Sequence, residues 1–135
     1  MRRIFMQIVA ALYHLVFPDH QKQIDALNRH RLGVWIMRGL KLGATEDPGT
    51  YLHIDDQGAF RCCALGIGLV GKYGNPEAAH EAYYRECDRK LGGSPAMAHL
   101  LGIPLLLADR IVMNHIDLRV SAKKIALELI GGTMT

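Results

Sequence analysis

A chain of 135 residues, half of them hydrophobic, is long enough to bury a core without disulfides or a structural metal and too apolar to be a disordered segment. The net charge is +3, but residues 1–45 hold seven Lys and Arg against Asp19 and Asp25 while the remainder is net −2; this basic third lacks the recognition motif or stacking aromatics of a nucleic-acid binder, so nucleic acid is not an expected partner. The three cysteines, with Cys62 and Cys63 adjacent, make no disulfide framework and point to reduced thiols in a cytoplasm.

The opening "MRRIFMQIVAALYHLVF" imitates a signal peptide, with two arginines before an apolar run. It has no small-residue cleavage site ahead of "PDHQKQ" and is too short to span a bilayer, so no stable membrane insertion is expected. Residues 4–17 read as a helix that is apolar almost all round, which requires burial in the core or against another chain. Pro18 is expected to stop it. Asp19 then caps a second helix that Gly43 ends, with Ile24, Leu27, Leu32, Trp35, Ile36 and Leu40 at helical spacing on its inner face.

"EDPG" is turn chemistry, and "TYLHI" and "AFRCC" flank "DDQG" as two short β-prone runs, which predicts one β-hairpin near residues 50–62. The following "CALGIGLVGKYG" carries Gly66, Gly68 and Gly71, positions that let a neighbouring element approach the backbone closely. "NPEAAHEAYYRECDRKLGG" is a helix with Asn75 as cap and Pro76 at its first position. Its Glu77, Glu81 and Glu86 are expected on a solvated face paired with Arg85, Arg89 and Lys90. Tyr83 and Tyr84 are expected to point different ways, one inward and one wet. A short helix begins near Ser94-Pro95 and ends near Gly102. Pro104 opens another, with Leu106, Ile111 and Met113 inward, and Ser121 caps a last one with Ile125, Leu129 and Ile130 inward. The sum is a mainly α fold, α+β at most, of about six helices and one small hairpin in a single domain over residues 1–135.

Cys62 and Cys63 fall where a strand meets a helix. Free N–H groups and the macrodipole at a helix amino terminus stabilise a thiolate and lower its pKa. A thiol-dependent hydrolase could be assembled here, with Cys63 as nucleophile, His115 as base and Asn114 or Asp117 as the group that orients the imidazole. The alternative is packing, since cysteine is among the most buried residue types. Adjacent cysteines give no chelate spacing, and His80 and Cys87 stand seven apart, so no metal is expected. "GIGLVG" matches G-x-G-x-x-G in letters, but no second parallel strand follows and close packing is the better account; no cofactor is expected.

"RCCALGIG" at mid-chain, with "VWIMRGL" before it and "MNHIDLRVSAKKIALELI" late in the chain, resembles a diffuse group of small uncharacterised phage and bacterial proteins. Their common pattern is C-A-L-G or C-L-G, then a late N-D, a turn and S-x-x-x-I-A. The resemblance implies that the group's cysteine falls on Cys63 and its asparagine on Asn114, with Leu65, Gly66, Ser121, Ile125 and Ala126 on the supporting pattern. It implies a mainly helical domain and assigns no activity. His115 departs from the pattern, standing where the group has Asp, although Asp117 follows. Composition and the apolar first helix favour an interaction or accessory module that binds a protein partner or itself through that helix.

Overall fold

The computed structural model describes residues 4–9, 18–89 and 92–133. Residues 4–9 are helical; the rest of the expected first helix, residues 10–17 with His14, lies outside the described residues. The elements then run α1 (Pro18–Lys41), β1 (Thr45–Glu46), β2 (His53–Ile54), β3 (Phe60–Cys62), α2 (Ala64–Tyr73), α3 (Pro76–Asp88), α4 (Gly93–Leu101), α5 (Leu105–Ile116) and α6 (Ala122–Gly131). The fold is mainly α, as its periodicities require.

Caps fall where the residue types put them on α2, α3, α4 and α6, whereas Asp19, expected as a cap, lies inside α1. Asn75 Oδ1 accepts from Ala78 N–H at 3.0 Å, Ser121 Oγ accepts from Lys124 N–H at 3.2 Å, and Gly74, Gly102 and Gly132 close their helices in the left-handed region. Proline begins α1 rather than only ending what precedes it, a position where its missing N–H costs no hydrogen bond.

The hairpin pairs β2 with β3, His53 opposite Arg61 and Ile54 opposite Phe60. Asp55 Oδ1 organises its turn by accepting from the N–H groups of Gln57 and Ala59. The structure adds β1, which lies parallel to β3 on its other side and sets Glu46 opposite Cys62. Two residues are too few for any hydropathy period to reveal.

One apolar cluster joins α1, the strands and the other helices, with Leu32, Ile36, Leu65, Ile67, Leu69, Met97, Ile111 and Ile125 fully buried. Helix α2 is its centre: Ala64 through Gly71 are all buried. Backbone meets backbone around it, because a Cβ on Gly71 would lie 1.8 Å from the Trp35 carbonyl oxygen and one on Gly39 would lie 2.0 Å from that of Ile67. The glycines of "GIGLVG" are therefore helix-packing residues, inside α2 and not in a loop.

Three expectations about faces are corrected. Ile24 and Leu27 are exposed, because at helical spacing they share the column of exposed Arg31, Val34 and Arg38 and not that of buried Leu32 and Ile36. On α5 the buried residues are Leu107, Ala108, Ile111 and His115, while Leu106 is 83% exposed and Met113 is also exposed; only the former set follows one face at helical period. Glu86 is buried rather than solvated, within 3.7 Å of Arg89 and 3.9 Å of His99. Tyr83 points in and Tyr84 out, as their adjacency demands.

Candidate functional site

Cys63 is the residue before α2, with φ −71° and ψ 176°, so the strand-to-helix junction forms where the sequence puts it. The first-turn N–H groups of Leu65 and Gly66 do pull its thiol pKa down, but loss of hydration is the larger effect and the pKa is pushed up to about 11. Cys62, fully buried, goes up to about 12 through burial, reinforced by the charges of Cys63 and Asp47. The expected low thiol pKa is thus corrected: the helix terminus acts in the expected direction and burial outweighs it. Beside Cys63 is a cavity of about 20 Å³ among Thr50, Tyr51, Val112 and Ile116, the size of one water.

His115 arrives at the same junction from the last turn of α5 and is 1% exposed. Its Nδ1 accepts from Ala64 N–H at 3.1 Å, so the ring proton sits on Nε2, which donates to Glu46 Oε1 at 2.7 Å. The same carboxylate oxygen accepts from Ala122 N–H at 2.6 Å. One chain of hydrogen bonds therefore runs from the amino terminus of α2 through His115 and Glu46 to the amino terminus of α6. It satisfies two of the N–H groups that helix ends leave without partners, and places a carboxylate near a positive dipole end.

The sequence nominated Cys63, His115, Asn114 and Asp117. The structure brings His115 to the residue that follows Cys63, but with both ring nitrogens engaged elsewhere. Its orienting group is Glu46, not Asn114 or Asp117. Asn114 is half-buried and its carbonyl accepts from Val120 N–H, while Asp117 is exposed at the end of α5. No sequence signal pointed to Glu46, which lies 69 positions from His115 inside what reads as turn chemistry.

Above Glu46 and His115 opens a surface concavity of about 470 Å³, walled by Arg119, Val120 and Ser121. Arg119 is the one non-glycine with positive φ, 52°, among the described residues. Elsewhere, His80 packs on Tyr84 with ring centroids 4.4 Å apart, and burial followed by the charge of His53 lowers its pKa. Among the described residues no three His, Cys, Asp or Glu side chains converge as a metal site, no helix is long and apolar enough by itself to cross a membrane, and every buried side-chain nitrogen or oxygen has a hydrogen-bond partner. Comparisons with protein-family models, curated proteins and solved structures found no match.

Proposed function

We propose that this protein is a small helical interaction module whose contact segment is the amino-terminal helix. The observation that carries the reading is the exposure of residues 4–9: Ile4 63%, Phe5 66%, Met6 65%, Ile8 53% and Val9 45%. Each such side chain gains roughly 1.5–3 kcal/mol on full burial, so a contiguous set in water is a surface in want of a partner. The run "IFMQIV" is uncharged and follows Arg2 and Arg3, so two copies meeting antiparallel over it keep their arginine pairs at opposite ends, and a second copy is the occupant we assign.

Sedimentation velocity over a concentration series is the test. The chain should associate, and the double variant Phe5→Glu with Ile8→Glu should be monomeric with the Tm the wild-type chain has at dilution, where it too is monomeric, because neither side chain belongs to the core. A wild-type chain that stays monomeric into the high micromolar range overturns the reading. Unpaired cysteines at 62, 63 and 87 fit a reducing compartment such as the cytoplasm, and the C-A-L-G and S-x-x-x-I-A phrases fit a phage or bacterial origin. Against the rival thiol-hydrolase reading stand the raised pKa of Cys63 and the engagement of His115 Nδ1 by Ala64, which leave the nucleophile protonated and the base without a free acceptor.

A further inference from the structure

One face of α1, turned away from the line of Leu32 and Ile36, carries Ile24, Leu27, Arg31, Val34, Arg38 and Lys41, all exposed, with Leu27 also edging a concavity against Leu129 and Ile130 of α6. Their spacing alternates three and four residues, the seam along which a second helix lies with a seven-residue period. Its carboxyl-terminal half is cationic, Arg31 to Lys41 spanning about 15 Å at 1.5 Å per residue. A fourth cation joins from α2. Lys72 Nζ lies 5.5 Å from the centre of the Trp35 ring and Arg31 Cζ lies 5.7 Å from it. Among the described residues none of Arg31, Arg38, Lys41 or Lys72 is ion-paired with an Asp or Glu. Burial, and then the charge of Arg31, lower the Lys72 pKa, and its ammonium donates to the Leu100 carbonyl.

We propose that this face docks an acidic amphipathic helix of a protein partner, whose apolar side chains meet Ile24, Leu27 and Val34 and whose carboxylates meet Arg31, Arg38, Lys41 and Lys72. Charge complementarity selects the occupant. A second copy of the same face sets cation against cation when parallel and cation against Leu27 or Ile24 when antiparallel. A phosphate backbone leaves the interleaved apolar side chains unused. An anionic lipid surface calls for apolar and cationic residues on separate sectors of the helix, whereas here they share one column. This inference does not rest on residues 4–9.

The probe is a synthetic three-heptad helical peptide with Leu facing the apolar positions and Glu facing the cations. Trp35, the only tryptophan, reports from between Arg31 and Lys72. The acidic peptide should shift Trp35 emission, lose affinity as salt is raised, and bind about tenfold more weakly to the double variant Arg31→Glu with Lys41→Glu. The single variant Lys41→Glu, at an exposed position away from Trp35, serves if the double variant loses Tm. The Phe5→Glu with Ile8→Glu chain should bind the peptide unchanged, which separates failure here from failure of the self-association reading. The inference is overturned if the peptide does not bind, if charge reversal leaves binding intact, or if it binds no better than its Lys-for-Glu counterpart. It is also overturned if oligo(dT) or equimolar phosphatidylserine–phosphatidylcholine vesicles displace the peptide with the same charge dependence.

Discussion

His115 shows how a residue that looks catalytic becomes structural. Its Nδ1 serves Ala64 N–H and its Nε2–H serves Glu46, so substitution removes one buried and one part-buried hydrogen bond and opens a void. His115→Ala should cost roughly 2–4 kcal/mol in denaturant unfolding. His115→Asn, whose carbonyl oxygen can replace Nδ1, should recover part of that; equal losses would make volume the whole effect. The cysteines carry a pH signature. An unfolded thiol titrates near its ordinary 9.0, whereas Cys63 and Cys62 hold their protons to about 11 and about 12. In that window the folded chain binds more protons than the unfolded one, so stability falls as pH rises from 9 towards 11–12 and is unaffected by these groups below 9. Unfolding curves of Cys62→Ala and Cys63→Ala chains should show a shallower alkaline decline, and iodoacetamide at pH 8 should reach both thiols only on unfolding. The junction at Cys63 was legible in the sequence because a β-prone run stops where an apolar helix starts. Its consequence was not, since hydration is lost to Thr50, Tyr51, Val112 and their neighbours, which sequence distance hides.

At the scale of elements, α2 is held by proximity that only glycine allows. Gly71→Ala places a methyl 1.8 Å from the Trp35 carbonyl oxygen; α1 and α2 must part, at a cost of about 3 kcal/mol. Gly131→Ala, where a Cβ meets nothing within 4 Å, should instead stabilise by roughly 0.5 kcal/mol through helix propensity and lost unfolded-state freedom. Thermal unfolding of the two variants checks the contrast, and similar losses would refute the close-approach account. Helix existence and caps were readable from local chemistry, as at Asn75-Pro76 and Ser121. Facing was read less well on α5 and on the start of α1, because Leu106, Met113, Ile24 and Leu27 are apolar but have no element over them.

For the whole molecule, the described surface pairs an apolar terminal segment with a cationic seam on α1, while the interior leaves no buried side-chain polar atom unsatisfied. That distribution places the apolar and cationic surface available for binding outside the core. The sequence by itself determined a mainly helical chain, the caps at Asn75 and Ser121, the hairpin and the start of an apolar, glycine-spaced helix after Cys63, because these follow from interactions within a few residues. Only the tertiary structure decided that β1 sets Glu46 against His115, that burial overrides the helix terminus at Cys63, and that one column of α1 stays uncovered. Each depends on which distant segment excludes water from a given side chain, and that is settled when the helices pack.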